Sequence, residues 1–453
     1  MPTLPRRDLL RLSLAGLAVL MARPMGGCSG ESGGPAGEPD ASGGPGEAGS
    51  GDRDASRPGS PEAGDAHVAD ASDAARDASD AARDASDAAD ASDAADASRP
   101  LRSDIANLGP LGPADANNVR LPPGFTSRIV ARTGRAAVLT SPYLWHSAPD
   151  GGATFAMPGG GWVYVSNSEV STTGGVGALR FDAAGQLVNS YAILSNTSTN
   201  CAGGGTPWGT WLSCEEVSRG RVFECDPTGA RAAVARPALG IFKHEAAVVD
   251  PVRRHLYLSE DEPDGRFYRF TPVGLTPSGG LDLTAGVLEV ASVTGGAVTW
   301  LVVPDPLFTG ATPTRRQVPA STPFNGGEGL WYHDGKIYLS TKGDDRVWEY
   351  NTRTSTIRMH YDRATAVAPF LRAVDNLTGS AGGDILVAED GDDLQIVAIL
   401  SDGSLKAVLQ VVNHPGSEIT GPAFDPSGTR LYFSSQRGPG GGITFEVTGP
   451  FHV

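Results

Sequence analysis

The sequence predicts an all-β fold, a six-bladed β-propeller over residues 101–453, preceded by a signal segment and a disordered tether. Short runs of β-branched and aromatic residues alternate in this region with Gly, Pro, Asp and Asn turns, and helical periodicity is almost absent. A strand core also recurs, in which an aromatic residue or Leu precedes an aliphatic residue or Phe and then a small residue. The copies lie at residues 164–166, 211–213, 257–259, 338–340, 386–388 and 432–434.

The spacing of these cores indicates the number of blades. Their first residues are separated by 47, 46, 81, 48 and 46 positions, and a four-stranded blade needs about 40 to 50 residues. Each gap therefore fits one blade, with a single insertion between Phe270 and Phe324. The last strand, at residues 444–447, is expected to pair with residues 127–131, because closing the ring removes unpaired edges.

The first 28 residues predict export. Arg6 and Arg7 precede an apolar run too short to span a bilayer, which is the layout of a Tat-type signal. Residues 25–28, MGGC, resemble a lipoprotein box in which Cys28 would be lipidated after cleavage, and ordinary secretory cleavage is the alternative. The protein is therefore expected in the periplasm or cell envelope, and at the outer membrane as a lipoprotein if Cys28 is acylated.

Residues 29–100 form the predicted tether. They consist mainly of Ala, Asp, Ser, Gly and Pro, and they contain too few large apolar residues to offset the entropy of ordering. Their seventeen acids and five arginines give a charge of -12, which leaves -7 for residues 101–453. This modest excess argues against a nucleic-acid partner and suits bound cations.

Four acids stand at matching positions, 10 to 14 residues before a repeat core: Glu245, Glu328, Asp375 and Glu418. This spacing places them near the start of the innermost strand of successive blades. Carboxylates that converge on one channel mouth repel each other unless cations hold them together. Hard oxygen ligands favour calcium or a similar ion. The alternative is that the acids cap turns or pair with arginines.

The segment NCAGGGTPWGTWLSCEE, residues 200–216, combines two cysteines, two tryptophans and three consecutive glycines. Glycines permit a close backbone approach at an entropic cost, so the segment is interpreted as built around a ligand. Trp208 and Trp211 are interpreted as packing residues rather than substrate contacts.

Several motifs together resemble the PhoX-type alkaline phosphatases, also called the DUF839 family. They are NCAGGGTPWGTWLSCEE, FKHEAAVVDP, YLSEDEPDGRFYRF, VDNLTGSAGGDILVAEDGDD and EITGPAFDPSGTRLYFSSQ, and they occur in order over most of residues 120–450. The resemblance implies Tat export and a six-bladed propeller. It also implies an iron and calcium cluster at the channel mouth and hydrolysis of phosphate monoesters.

The resemblance also assigns residues to the metals. It implies that Cys201 is an iron ligand, and a thiolate is a soft ligand that suits iron; the alternatives are a small buried hydrophobe or half of a disulfide. The further metal ligands that it implies are Glu245, Glu328, Asp375, Asn376, Glu389 and Glu418, with Glu215 and Glu169 as additional candidates.

The sequence departs from the family pattern at the expected phosphate contact. The resemblance implies an arginine two residues before Glu328, where Gly326 stands, and the first-blade pattern Asn-His-Glu is here Asn167-Ser168-Glu169. A lost guanidinium removes geometry as well as charge, so we expect weak turnover of simple phosphate esters. The candidate catalytic residues are Lys243 and His244, and Lys342 or Arg346 could also substitute.

A disulfide between Cys214 and Cys225 is also expected. Residues 211–226 are interpreted as a hairpin with its turn at residues 218–220, which places the two cysteines opposite each other. Opposed Cβ atoms lie about 4.5 to 5.5 Å apart, close to the disulfide range. Two free thiols are the alternative.

Three functions remain open on the sequence. The first is a PhoX-like phosphomonoesterase acting on a small phosphorylated substrate; the others are a calcium-dependent propeller hydrolase such as a lactonase, and a catalytically silent propeller that binds a ligand. The expected cofactors are iron and calcium. The expected state is a monomer, attached to a membrane only if Cys28 carries lipid.

Overall fold

The structure is a computed structural model that describes residues 101–367, 369–391 and 393–453. The predicted signal at residues 1–28, its Cys28, and the predicted tether at residues 29–100 lie outside the described residues. Within these ranges no helix is long and apolar enough to cross a membrane.

The regular secondary structure of the described chain consists almost entirely of strands. The first thirteen are β1 (Val119–Arg120), β2 (Thr126–Arg132), β3 (Pro149–Ala156), β4 (Trp162–Ser168), β5 (Gly174–Phe181), β6 (Leu187–Thr197), β7 (Asn200–Gly205), β8 (Trp211–Glu215), β9 (Val222–Cys225), β10 (Val234–Ala235), β11 (His244–Asp250), β12 (His255–Glu260) and β13 (Phe267–Pro272).

The second half of the chain continues in the same way. Its strands are β14 (Gly286–Thr294), β15 (Ala297–Val302), β16 (Gly327–His333), β17 (Lys336–Thr341), β18 (Arg346–Asn351), β19 (Thr356–Asp362), β20 (Val374–Gly379), β21 (Ile385–Glu389), β22 (Gln395–Ile399), β23 (Leu405–Val411), β24 (Ile419–Phe424), β25 (Arg430–Ser435) and β26 (Ile443–Thr448). Short 3-10 helices occur at Ile105–Asn107, Pro237–Leu239, Thr314–Arg316 and Lys342–Asp344.

The strands form five antiparallel sheets. Three of them are the meander β3–β6, the meander β7–β10, and β24–β26 with β2 added beside β26. The fourth is β20–β23 with β1 added at its edge. The fifth has nine strands, because β15 joins the meanders β11–β14 and β16–β19 through one residue pair, Ala297 opposite Thr356.

The predicted insertion between Phe270 and Phe324 contains β14 and β15. All six repeat cores lie in the second strand of a meander: β4, β8, β12, β17, β21 and β25. The strands that precede them, β3, β7, β11, β16, β20 and β24, each pack beside the next, and β24 packs beside β3. The prediction of an all-β propeller-like fold is therefore confirmed, whereas the count of six blades stays a prediction, since two meanders share one sheet.

The predicted closure by the chain ends is also confirmed. Strand β2 pairs with β26 from Thr126 opposite Thr448 to Arg132 opposite Ile443. The pairing covers the edge that the C-terminal strand would otherwise expose. Apolar residues of neighbouring sheets fill the space between them; Tyr164, for example, stacks on Tyr432 with ring centroids 5.1 Å apart.

Candidate metal centre

Five inner strands carry a candidate metal ligand as their second residue: Asp150 in β3, Cys201 in β7, Glu245 in β11, Glu328 in β16 and Asp375 in β20. In each strand the pairing shifts register between the first and fourth residues, so each ligand lies in a β-bulge. A bulge bends the strand and re-aims a side chain. The same β-bulge therefore recurs in the backbone at all five candidate ligands.

The sixth inner strand differs from the other five. In β24 the bulge lies between Thr420 and Ala423, and Glu418 directly precedes the strand. The bulge contains Gly421, whose amide donates a 2.8 Å hydrogen bond to the Asn376 side-chain oxygen. Asn376 in turn donates to Asp375, at 2.9 Å. It therefore lies where it can orient that carboxylate.

The small third residue of the repeat core fixes several bulges. Ser259 donates a 2.6 Å hydrogen bond to the carbonyl oxygen of Glu328, and Ser340 donates one of the same length to the carbonyl oxygen of Asp375. Each serine belongs to one meander and its acceptor to the next inner strand. The third core residue thus fixes the segments that carry Glu328 and Asp375.

The candidate ligands gather in three groups, within each of which the ligand atoms lie within 4.8 Å of one another. The groups are Glu169 with Cys201 and Glu216; Glu245 with Glu328 and Asp375; and Asp375 with Asp390 and Glu418. Asp375 belongs to two of them. The acids predicted from the repeat spacing are therefore brought together at one end of the inner strands.

The group of Glu245, Glu328 and Asp375, here called the central group, is buried and would destabilise the fold without a bound cation. Glu245 is fully buried, and neither of its carboxylate oxygens has a hydrogen-bond partner among the described residues. Burial, with the charges of neighbouring acids, raises the pKa of Glu245 and of Glu328 well above the usual range. Unpartnered buried carboxylates are strongly destabilising, so this donor set fits a bound hard cation.

Three cationic side chains interleave with the acids. The Lys342 ammonium lies 3.1 Å from Glu328, 3.7 Å from Asp375 and 3.2 Å from Asp390.

The Lys243 ammonium lies 2.8 Å from Glu216 and 2.7 Å from Asp261. The Arg437 guanidinium contacts both Glu169 and Glu418. Each cation joins acids that belong to neighbouring inner or second strands, or to the loop residues that flank these strands.

The acids outnumber these cations. Against three cationic side chains stand nine carboxylates, so the formal excess is six negative charges. The nine are Asp150, Glu169, Glu216, Glu245, Asp261, Glu328, Asp375, Asp390 and Glu418. An excess of this size favours bound cations at these acids.

Cys201 is the thiol of the first group. Its Sγ is 3.6 Å from the Asp150 carboxylate, and burial, together with the charge of Asp150, raises the pKa of the thiol. Asn167 donates hydrogen bonds of 2.9 and 2.8 Å to the carbonyl oxygens of Cys201 and Ala202, and it accepts one from Trp211 at 2.9 Å. The buried Trp211 is therefore a packing residue that also fixes Asn167.

The glycines after Cys201 are required by strand packing. A Cβ at Gly203 would lie 1.9 Å from the Leu212 carbonyl oxygen, and one at Gly204 would lie 1.8 Å from that of Ala247. The glycines let β7 approach β8 and β11 closely. They serve strand packing, and the interpretation that the segment is built around a ligand stays a prediction.

Four predicted site residues have other partners. Glu215 accepts hydrogen bonds from Ser198 and Arg221, and Glu389 accepts them from the amides of Arg372 and Gln395. Neither acid is in the three groups.

His244 is buried against Phe242, contacts the Gly240 carbonyl oxygen, and has a pKa lowered to about 3 by burial. Arg346 pairs with Asp344 and Asp362. Of the predicted cationic candidates, Lys243 and Lys342 lie among the grouped acids.

The sequence interpretation missed Asp150, Glu216, Asp390 and Arg437. Asp150 stands 14 residues before Tyr164, the spacing that also separates Glu418 from Tyr432. The repeat could therefore have identified it. Glu216 and Asp390 follow the predicted Glu215 and Glu389 by one residue, and nothing in the sequence singles out Arg437.

The predicted Cys214–Cys225 disulfide is wrong. Both cysteines are free thiols, and Cys214 lies opposite Val222 while Cys225 lies opposite Trp211. An offset of three residues places the two side chains on opposite faces of the sheet, and they pack in different apolar clusters.

Comparison with known proteins gives a family match. The model of the family described as alkaline phosphatase PhoX matches residues 159–221 and 218–360. Pseudomonas fluorescens PhoX in complex with vanadate is 16% identical, with a TM-score of 0.63; the match covers 78% of this chain and 98% of that one. This likeness shows the fold.

A second solved structure, the gluconolactonase XC5397 from Xanthomonas campestris, is also 16% identical, with a TM-score of 0.42 over 76% of this chain and 98% of that one. No curated protein matches the sequence. The family match over residues 159–360 confirms the resemblance that the sequence motifs indicated, to the PhoX-type alkaline phosphatases.

Proposed function

We propose that this chain hydrolyses phosphate monoesters with metal ions held at the mouth of a six-bladed propeller. The observation that carries the proposal is the ring of candidate ligands at the second residue of successive inner strands, with a thiol among carboxylates. The match to the PhoX family and the fold of PhoX with vanadate bound support it.

Six blades follow from assigning one blade to each inner strand. In this assignment the nine-stranded sheet is two blades, β11–β14 and β16–β19, with β15 as an inserted strand between them. The single pair that joins them, Ala297 and Thr356, is a minor contact beside the long ladders within each meander.

Iron and calcium are the proposed metals. Cys201, with Glu169 and Glu216 nearby, offers a soft ligand beside hard ones, which suits iron. The two groups that share Asp375 contain only carboxylates, which suit calcium. The unpartnered oxygens of Glu245 support occupation of the central group.

The proposed reaction needs no side-chain nucleophile. Bound metal ions would supply charge neutralisation at the phosphoryl oxygens and water of lowered pKa. The chain's own acids would hold and orient those ions, and Asn376 would fix the Asp375 carboxylate. Lys342 would add positive charge beside Glu328 and Asp390.

The proposal also concerns the location and the oligomeric state of the protein. Export by the Arg6-Arg7 signal, acylation of Cys28 and a monomeric state remain part of the proposal. Export by this signal would place the catalytic domain outside the cytoplasm.

The test is purification of the exported protein, followed by elemental analysis and an assay on a chromogenic phosphate ester. Removal of the metals with a chelator should abolish turnover, and their return should restore it. Turnover that survives complete metal removal would contradict the proposed mechanism.

A catalytically silent, metal-binding propeller is the second candidate. Gly326 favours it, because this position offers no side chain to contact a phosphate. Metal binding without any ester hydrolysis over a panel of phosphate esters would identify this alternative.

A further inference from the structure

We propose that Arg437 is the residue that contacts the phosphoryl group of the substrate at this mouth. This inference rests on the proposed function. Arg437 lies in the loop between β25 and β26, on the side of the ring where Glu418 and Glu169 meet. A guanidinium is suited to oxyanions because its N–H groups match their geometry in pairs.

Its position spans two ligand groups. One partner, Glu169, belongs to the group with Cys201, and the other, Glu418, belongs to the group with Asp375. An oxyanion held at the mouth between these groups would therefore lie beside the guanidinium. Neither Lys243 nor Lys342 contacts the Cys201 group and the Glu418 group together.

The backbone of Arg437 is held rigidly. Its amide donates a 3.0 Å hydrogen bond to Ser417 Oγ, which also contacts Ser435 Oγ at 2.8 Å. The preceding Gln436 donates from its amide to the Glu418 carbonyl oxygen at 3.0 Å and from its side chain to Glu169 at 3.0 Å. A contact residue fixed in this way loses little entropy when an anion binds.

The Arg437 side chain is nevertheless accessible, and not all of its N–H groups are used by the two acids. It is 49% exposed, against 34% for Lys342 and 27% for Lys243. Two of its five N–H groups are accounted for by Glu418 and Glu169 among the described residues. Lys342, by contrast, already faces three carboxylates with three N–H groups.

The test measures binding of inorganic phosphate to the metal-loaded, full-length protein by calorimetry, which requires no turnover. Arg437→Gln is expected to weaken phosphate binding about tenfold or more, the size of one charge-assisted contact. Arg437→Lys should fall between, because an ammonium keeps the charge but not the fork. Arg363→Gln is the matched control, since Arg363 is 42% exposed and pairs with Asp345, outside the three groups.

Elemental analysis of the same samples separates a phosphate contact from a structural role. Unchanged metal content with weakened phosphate binding in Arg437→Gln would support the inference. Phosphate binding equal to that of the wild type, or loss of phosphate binding together with the metals, would overturn it.

The outcome is distinct from that of the proposed function. Ester hydrolysis that is indifferent to Arg437→Gln in both KM and kcat would overturn this inference and leave the phosphatase proposal standing. If phosphate binding depends on Arg437 but the protein shows no turnover, the inference would stand and the phosphatase proposal would be overturned.

Discussion

Cys201 Sγ lies 3.6 Å from the Asp150 carboxylate, and both residues occupy the second position of an inner strand. Cys201→Ser is expected to lose iron and most colour, because a neutral hydroxyl is a poorer ligand for iron than a thiolate. Elemental analysis and absorption spectra of the purified variant give the measurement. Cys225→Ser, in a buried apolar cluster, is the control; full retention of both metals in Cys201→Ser would rule out Cys201 as a ligand.

Cys214 and Cys225 should both react as free thiols after denaturation. Their side chains lie on opposite faces of one sheet, so no bond can form without rebuilding the hairpin. Alkylation of unreduced, denatured protein followed by mass spectrometry should recover both peptides in the alkylated form. A peptide pair linked through these two residues would contradict the observed register.

The fold could be predicted because the repeat core contains a residue that holds neighbouring inner strands together. The serine at the third core position, such as Ser259 or Ser340, bonds the bulge of the next inner strand, so spacing and chemistry recur together. Candidate ligands that lie one residue beyond the end of a strand were harder to predict from the sequence. Successive residues of a strand face opposite sides, and sequence does not fix where β8 ends relative to Glu215 and Glu216.

The cysteine pairing failed for a related reason. The prediction centred the hairpin between Arg219 and Gly220, whereas the pairing of Cys214 with Val222 centres it at Ser218. A displacement of the turn by one and a half residues moves the partner of Cys214 by three. Turn residues indicate that a hairpin exists, but tertiary packing decides its register.

Glu245→Gln should have opposite effects on stability with and without metals. In the chelated protein it should raise the unfolding temperature, because it removes a buried carboxyl group that has no partner among the described residues and whose raised pKa forces it to take up a proton on folding. In the metal-loaded protein it should lower that temperature, because a ligand is lost. Asp334→Asn, at a side chain that is 76% exposed, is the control for charge alone. A variant that is equally destabilised in both states would argue against a metal at this group.

His146 should make the protein acid-sensitive. Burial lowers its pKa to about 3, whereas an unfolded histidine has a pKa of about 6.5. Between these values the unfolded state binds one more proton, so stability is complete above pH 6.5 and falls as the pH falls. His146→Gln should flatten this dependence by about 1.4 kcal/mol per pH unit in denaturant titrations. Identical pH slopes for the two proteins would show that the pKa of His146 is the same in the folded and unfolded states.

Gly326 and Arg437 provide a rescue experiment on the proposed phosphate contact. A Cβ at Gly326 would lie 3.4 Å from the Asp261 carboxylate, so an arginine there would begin beside one of the nine carboxylates of the candidate metal centre. Because Arg437 is proposed to supply a guanidinium already, Gly326→Arg alone should change turnover little.

In the Arg437→Gln background, Gly326→Arg should instead restore turnover by about tenfold, the size of one charge-assisted contact. Gly326 has φ of 66°, a left-handed conformation that costs a side chain about 1 to 2 kcal/mol. Gly326→Ala in the same background carries this strain without the guanidinium and should restore nothing. Steady-state kinetics on a phosphate ester decide the question: equal turnover of the alanine and arginine double variants would mean that position 326 cannot reach the phosphoryl group.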